Sequence, residues 1–205
     1  MRQNWWIYPG AALGLLVMVG ATVMASLTNA YNTPAGSMRP SLEVGDHLFA
    51  WTGYYKEHAP ERGEIVLFLH GDETVFIKRV IGLPGDTIQM KGGRLWINGT
   101  EVAREAQGSN VEEADGQLTQ YRETLPGGVA YPILEKDDSS AYDETGPFAV
   151  PVDSYFVMGD NRDNSNDSRV EDFGFVPRDK FLDRPFLIYF SKTLSRIGAR
   201  INQGQ

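Results

Sequence analysis

An unbroken run of uncharged residues near the amino terminus constrains this chain more than any other feature. No charge occurs from Trp5 to Leu27, a run of 23 mostly apolar residues. A helix rises about 1.5 Å per residue, so this run is long enough to cross the roughly 30 Å hydrocarbon layer of a bilayer. Trp5, Trp6 and Tyr8 lie at its upstream end, as expected for aromatic residues at a membrane interface. We therefore predict one N-terminal transmembrane helix.

The same run also fits a second interpretation, a signal peptide that is cleaved after export. Val23-Met24-Ala25 would be its small-residue cleavage site. Signal peptides usually have an apolar core of about 7–15 residues, which is shorter than this run, so a retained anchor is favoured. Arg2 and the terminal amine are the upstream charges, and positive charge favours the cytoplasmic side. We predict a cytoplasmic tip and anchor over residues 1–30 and an extracytoplasmic domain over residues 31–205.

Beyond the apolar run, the pattern changes to short strands. Runs of β-branched and aromatic residues alternate with turn signals such as Gly71-Asp72 and Lys91-Gly92-Gly93, which are typical of hairpins. No helix of normal length is indicated between Glu43 and Lys180. The predicted fold class is therefore all-β, a mostly antiparallel β-sheet domain. The predicted strands are Ile65–Leu69, Val75–Ile81, Thr87–Met90, Arg94–Ile97, Tyr155–Met158 and Phe186–Phe190.

The net charge of −8 belongs to one segment of the chain. Residues 101–146 hold eleven acidic and three basic residues, whereas the remainder holds sixteen of each. Charge runs of this kind usually form solvated surfaces, so we predict an acidic insertion with loops, a smaller lobe over about residues 101–150. Clusters of Lys and Arg that would bind a phosphate backbone are missing, which argues against a nucleic-acid partner.

Ser37 stands just downstream of the apolar run, and it needs a base if it is to react. A serine hydroxyl is a weak nucleophile until a neighbouring group takes its proton. His58 and His70 lie in polar, turn-rich segments and are expected to be loop residues. An extended chain at about 3.3 Å per residue would carry His47 away from Ser37. The chain has no cysteine, no histidine pair with metal-ligand spacing and no phosphate-binding loop, so we predict chemistry without a metal or cofactor.

Lys78 is the other candidate base. Burial disfavours the charged form of a lysine and so lowers its pKa. Lys78 lies within the predicted strand Val75–Ile81, where alternation places Phe76 and Val80 on its face. Arg79 points the other way and keeps its proton, which makes it a structural charge. A strand lysine can instead protect a sheet edge from aggregation, so the strand pattern leaves both roles open.

Three blocks of the sequence are specific when they are taken together. They are Ser37-Met38-Arg39-Pro40-Ser41-Leu42, Phe76 to Asp86, and Gly159 to Arg169. In this order they closely resemble the type I signal peptidases of bacteria. Gly174-Phe175-Val176-Pro177 and Ser195-Arg196-Ile197-Gly198 are also similar to that family. The resemblance runs from about Pro34 to near the carboxyl terminus, and the acidic stretch lies outside it.

The resemblance implies a Ser-Lys dyad on a mostly antiparallel β scaffold. Ser37 would attack the carbonyl at the cleavage site, and Lys78 would take its proton as general base. Ser165 would hold Lys78 by a hydrogen bond. By position in the family motifs, Asp160, Asp167 and Arg169 would support the site, and Met38, Leu42 and Ile77 would wall a pocket for small substrate side chains.

The implied function is that of a membrane-anchored serine endopeptidase, a hydrolase that removes N-terminal signal peptides from exported preproteins after Ala-x-Ala-like sites. It would be a single-pass protein of the bacterial inner membrane with its catalytic domain on the periplasmic side. Its partners would be preprotein signal peptides and the lipid bilayer, with the secretion translocon as a further candidate. The alternatives are a specialised peptidase of the same family, which matures pilin or conjugation proteins, and a non-catalytic membrane-anchored binding protein on this fold.

Ala35 departs from the family pattern. Relatives often have a serine two residues before the nucleophile, and its hydroxyl helps to bind the oxyanion. Alanine has no such donor, so the oxyanion hole would rest on the backbone N–H of Ser37 and a group that the sequence does not identify. The loss of one oxyanion donor can slow a reaction by on the order of 10²–10³-fold.

We expect Ala35→Ser to raise turnover, because the added hydroxyl supplies an oxyanion donor. The measurement is the initial rate of preprotein cleavage by the detergent-solubilised variant, compared with the unchanged chain. An unchanged or lower rate would mean that the second donor already exists elsewhere.

Overall fold

The structure is a computed structural model that describes residues 13, 18–20, 22, 24–71, 74–113 and 116–202. Residues 24–27 are helical and lead directly into the first strand. No helix within the described ranges is both long enough and apolar enough to cross a membrane. The predicted anchor over Trp5–Leu27, and the alternative cleavage site at Val23-Met24-Ala25, lie largely outside the described residues, so the anchor stays a prediction.

Short antiparallel strands form the described chain, and its helical elements after residue 27 are single 3₁₀ turns. The prediction of an all-β, mostly antiparallel fold is therefore confirmed. The strands are β1 (Thr28–Asn32), β2 (His47–Trp51), β3 (Ile65–His70), β4 (Thr74–Gly82), β5 (Thr87–Lys91), β6 (Arg94–Ile97), β7 (Thr100–Glu101), β8 (Ala103–Glu113), β9 (Gly116–Thr124), β10 (Ala130–Glu135), β11 (Phe148–Ala149), β12 (Ser154–Met158), β13 (Val176–Pro177) and β14 (Arg184–Phe190). The 3₁₀ turns are Gly36–Met38, Tyr54–Lys56, Arg162–Asn164, Arg178–Lys180 and Leu194–Arg196.

Both predicted hairpins are present. Strands β3 and β4 pair with Val66 opposite Lys78, and β5 pairs with β6. Several observed strands extend one or two residues beyond the predicted bounds, as at Thr74 and Lys91. Polar residues at strand ends still pair through their backbone, although they interrupt the apolar pattern from which the strands were predicted.

Most of the acidic insertion forms a sheet, which the expectation of a solvated insertion with loops did not specify, and loops follow over residues 136–147. The sheet consists of β8, β9 and β10, which pair in the order β10-β9-β8. Opposite charges face each other across β8 and β9, where Arg104 is opposite Glu123 and Glu105 is opposite Arg122. Such cross-strand pairs stabilise an antiparallel ladder, and strand formation does not require an apolar face on every strand. The net charge of the acidic segment therefore did not predict that β8, β9 and β10 pair through their backbones.

Strand β4 contributes side chains to all three hydrophobic clusters of the described residues. It is an interior strand of the sheet ordered β13-β12-β4-β3. Ile81 packs into the cluster beneath β5 and β6, Val80 packs into the cluster around Phe68, and Ile77 contacts the cluster around Met38. Each fully buried large apolar side chain contributes roughly 1.5–3 kcal/mol. The middle of β4 is thus held rigidly, and Lys78 is at its centre.

Candidate active site

Ser37 lies in the 3₁₀ turn Gly36–Met38, which is held from two sides. On one side, the Met38 side chain is buried in the core with Leu42. On the other side, the Ser37 carbonyl accepts a hydrogen bond of 3.0 Å from the backbone N–H of Asn161. The Ser37 side chain itself is half-buried at the wall of a cleft. The position of this short turn is thus fixed by the burial of Met38 and by the hydrogen bond from Asn161.

The Lys78 amine is buried and meets two hydroxyl groups. Lys78 is only 2% exposed, and its Nζ donates to Ser37 Oγ and to Ser165 Oγ, each at 2.9 Å. Burial lowers the pKa of Lys78 to about 8, a shift that Arg169 reinforces and Asp167 opposes. Because this amine is buried and bound to two hydroxyl groups, it is not an exposed lysine that guards a sheet edge. This amine can lose its proton near neutral pH and then accept one.

Gly159 allows the loop after β12 to approach Ser37. A Cβ at this position would lie 2.5 Å from the Ser37 carbonyl oxygen and would also collide with the Ser165 hydroxyl. The Gly159 N–H donates to Asp167 at 2.9 Å, and Arg169 binds both oxygens of the same carboxylate at 2.9 Å. Although burial opposes it, Arg169 holds the pKa of Asp167 below its usual value. The charged pair fixes the turn that carries Ser165.

A second buried ion pair joins β4 to the same loop. Arg79 donates to both oxygens of Asp160, at 2.8 and 2.7 Å, and to the carbonyl of Gly63 at 2.6 Å. It also donates to Ser41 Oγ at 3.1 Å and stacks over the ring of Tyr131. Removal of one partner from a buried pair costs about 3–5 kcal/mol, because the other charge is left without compensation. Arg79 is thus a structural charge, on the opposite face of β4 from Lys78.

A cleft of about 420 Å³ opens beside Ser37 and Lys78. Met38 and Ile77, two of the predicted pocket residues, line it. Leu42 does not: it is fully buried behind Met38, in the core with Leu48 and Ile188. Leu42 lines a different cleft, together with Ser41 and Ile65, so its place in the substrate pocket stays a prediction.

Most of the lining residues were not predicted as pocket residues. Phe76 was already placed on the same face of a predicted strand as Lys78, which was a usable signal. The strand β1 gave no such signal, because it continues the uncharged run without a turn residue in between. The further cleft residues are Tyr31, Asn32, Pro34, Ala35, Leu67, Thr74, Val75, Phe76, Asn164 and Asn166.

The histidines lie elsewhere in the described fold. His47 contacts the rings of Tyr189 and Phe190 in β14. His58 stacks on Tyr54, and His70, which ends β3 rather than lying in a loop, stacks on Phe173. None of the three hydrogen-bonds Ser37 in the part of the chain that the structure describes. Lys78 is therefore the base candidate that the geometry favours.

An amide group lies close to the backbone that precedes Ser37. Asn164 Nδ2 is 3.8 Å from the position that a Cβ on Gly36 would occupy, and Asn164 lines the same cleft as Ser37. The carbonyl carbon of Gly36 is bonded to the Ser37 nitrogen. The structure thus places a side-chain donor near the peptide that carries the Ser37 N–H, whereas Ala35 presents only a methyl group.

The sequence matches a known family over most of its length. A family model described as "Signal peptidase, peptidase S26" matches residues 5–190. The chain belongs to this signal peptidase family. The predicted family and the enzyme class, a signal-peptide-removing serine peptidase and thus a hydrolase, are confirmed.

Individual relatives agree with this membership. The chain is 32% identical over 209 residues to "Signal peptidase I" of Rickettsia bellii (strain OSU 85-389), which covers 88% of this chain and 72% of the relative. It is 30% identical over 222 residues to "Signal peptidase I" of Rickettsia akari (strain Hartford), in an alignment that covers 95% of this chain and 81% of that relative.

A solved structure was also compared with this chain. The crystal structure of a signal peptidase I from Enterococcus faecalis V583 aligns with a TM-score of 0.39 and 27% identity, over 62% of this chain and 97% of that chain.

Proposed function

We propose that this signal peptidase cleaves preproteins with Ser37 as nucleophile and Lys78 as general base. The observation that carries the proposal is the hydrogen bond of 2.9 Å between Lys78 Nζ and Ser37 Oγ, made by an amine that is almost fully buried. A nucleophile and a base within hydrogen-bond distance, with a third group that orients the base, are the parts that covalent catalysis needs. Ser165 Oγ is that third group.

The proton follows a short route in this mechanism. As Ser37 Oγ attacks the scissile carbonyl carbon, its proton moves to the neutral amine of Lys78. The tetrahedral intermediate collapses, the peptide C–N bond breaks, and Lys78 gives the proton to the departing amine. A water molecule then attacks the acyl-enzyme, with Lys78 again as base, and regenerates Ser37. Ser165 acts as a positioning residue throughout, since it accepts an N–H of Lys78 and holds the lone pair toward Ser37.

The cleft is suited to an extended peptide. Strand β4 pairs with β12 only from Arg79 onward, so within the described residues its upstream half has a partner on one side alone, and β1 pairs only with β2. Both open edges line the cleft, which would let a substrate strand add to them through backbone hydrogen bonds. Residues two apart in such a strand face the same wall. This spacing fits Ala-x-Ala, with both alanines against Met38 and Ile77.

The cleft lies close in sequence to the predicted membrane anchor. Tyr31 and Asn32 line the cleft and lie four and five residues after Leu27, the last residue of the predicted anchor run. We propose that the run is a single-pass anchor in the bacterial inner membrane, with the β domain on the periplasmic side. A signal peptide that spans the same bilayer would then present its cleavage site beside Ser37. The lipid bilayer is thus a partner, and the secretion translocon would deliver the substrate.

Substitution of either dyad member tests the proposal. We expect Ser37→Ala and Lys78→Ala each to lower the cleavage rate of an Ala-x-Ala preprotein by roughly 10³-fold or more, because each removes an essential part of proton transfer or attack. The matched control is Lys180→Ala, which removes an exposed lysine. Cleavage at the normal rate by either dyad variant would show that the assignment is wrong. No cleavage by the unchanged chain would favour a non-catalytic binding protein.

The pH dependence of the rate tests the state of Lys78. Only the neutral amine can accept the proton of Ser37, and burial lowers the pKa of Lys78 to about 8. We therefore expect the initial cleavage rate to rise with pH through an apparent pKa near that value. Thermal denaturation at each pH checks that the chain stays folded. A profile that climbs only near the ~10.4 of a free lysine would contradict the effect of burial.

Asn164 is the proposed second oxyanion donor, and a double-mutant cycle tests it. We expect Asn164→Ala to lower turnover in the unchanged chain, and Ala35→Ser to raise turnover by a larger factor in the Asn164→Ala background, because the added hydroxyl then replaces a missing donor. The control is Asn166→Ala, which removes another amide from the same cleft. Equal effects of Ala35→Ser in both backgrounds would argue against Asn164.

A further inference from the structure

Three carboxylates meet at a place that the peptidase reaction does not use. Glu135 ends β10, Asp143 lies in the loop that follows, and Asp163 lies in the 3₁₀ turn Arg162–Asn164. One oxygen from each of these side chains lies within 4.8 Å of the others. The group therefore joins the acidic insertion to the loop that carries Ser165.

Each of these carboxylates has one oxygen engaged and one buried oxygen without a hydrogen-bond partner. The oxygens without a partner among the described residues are Glu135 Oε1, Asp143 Oδ1 and Asp163 Oδ1. Glu135 is 1% exposed and Asp143 is 2% exposed, so these two side chains are shielded from bulk solvent. Buried polar groups are almost always hydrogen-bonded or bound to an ion. The engaged oxygens are Glu135 Oε2 with Arg104 at 3.1 Å, Asp143 Oδ2 with the Ser140 N–H at 2.6 Å, and Asp163 Oδ2 with the Lys136 N–H at 2.7 Å.

The surrounding arginines do not balance the charge of the group. Three of them lie around it, and each also binds a carboxylate outside the group. Those pairs are Arg104 with Asp138, Arg162 with Glu123, and Arg169 with Asp167. Six carboxylates therefore accompany three guanidinium groups, an excess of three negative charges, and all but the half-exposed Asp138 are largely shielded from solvent. Such an excess favours either a bound cation or protonation.

We propose that Glu135, Asp143 and Asp163 bind one Ca²⁺ ion. Carboxylate oxygens are the ligands of hard divalent cations. Ca²⁺ binds oxygen at about 2.3–2.6 Å, so two of its ligands can lie about 5 Å apart, whereas the shorter bonds of Mg²⁺ limit this separation to about 4 Å. The three oxygens lie within 4.8 Å of one another, a range that Ca²⁺ can bridge without a rearrangement of the side chains.

The neighbourhood offers a further ligand and a route for the ion. The hydroxyl of Ser140 is buried without a partner in the described structure, next to the Asp143 that it holds through its N–H. Ser140 and Asp163 line a separate cleft of about 530 Å³, through which the ion and its water ligands can enter. A Ca²⁺ site normally takes six to eight oxygens, so water completes the coordination.

Bound Ca²⁺ would connect the acidic insertion with the dyad. Asp163 is two residues from Ser165, which holds the Lys78 amine. An ion that ties Asp163 to Glu135 and Asp143 would restrain this loop against β10. This link to catalysis rests on the proposed function, whereas the binding of Ca²⁺ does not.

Binding is tested on the detergent-solubilised full chain after removal of metals with a chelator. We expect calorimetric titration with CaCl₂ to give one site, and added Ca²⁺ to raise the Tm, because an ion that binds the folded state stabilises it by mass action. Asp143→Asn should weaken binding by at least about tenfold, since it removes one charged ligand. In metal-free buffer the same variant should be at least as stable as the unchanged chain, because it relieves repulsion, so lost binding cannot be attributed to unfolding.

The control is Asp153→Asn, which neutralises an exposed acid outside the group and should leave Ca²⁺ binding unchanged. The proposal is overturned by the absence of Ca²⁺ binding to the unchanged chain, by binding that survives Asp143→Asn, or by Mg²⁺ binding as tightly as Ca²⁺. The Ca²⁺ proposal would also be overturned if the Tm did not change with Ca²⁺ but did change with pH. A proton shared by the three carboxylates would then neutralise part of their charge. These readouts need no cleavage and can be repeated in Ser37→Ala, so they are independent of the dyad.

Discussion

A lysine amine kept out of water is the constraint on which the rest of this site depends. Burial disfavours the charged ammonium form of Lys78. Because a neutral amine forms no ion pair, the elements around it must be held in place by other contacts. They are held because β4 is an interior strand with apolar side chains in the clusters on either side. The only hydrogen bonds of Nζ within the described structure go to the hydroxyls of Ser37 and Ser165. Packing thus lowers the pKa of a lysine that lies beside a serine hydroxyl.

The charges that order the site are placed one step away from the amine. Arg79 with Asp160 and Arg169 with Asp167 are buried, bidentate pairs, and both join the loop after β12 to its surroundings. Buried pairs of this kind contribute little net stability compared with apolar replacements, but they are costly to break. They therefore suit a role in holding one loop conformation. Gly159 permits the close approach to Ser37 that this conformation requires.

Prediction from the sequence succeeded where chemistry is carried by local motifs. Both hairpins were predicted from their turn residues. Lys78 was singled out by the family blocks, because its position between Phe76 and Val80 left two roles open. The sequence did not reveal how deeply Leu42 is buried, in the core with Leu48 and Ile188. It also did not reveal that the acidic insertion contains the paired strands β8, β9 and β10. The group of Glu135, Asp143 and Asp163 was equally out of reach, because its members are 28 residues apart in sequence at their extremes.

The sequence by itself determined the all-β class, the family and the identity of the candidate nucleophile and base, because strand alternation, turn residues and motifs are local properties of the chain. Only the tertiary structure decided that the Lys78 amine is buried and within hydrogen-bond distance of Ser37, that β1 and β4 leave open edges beside it, and which carboxylates meet. The physical reason is that burial and electrostatic shifts of pKa depend on what packs around a group, and those neighbours come from distant parts of the chain.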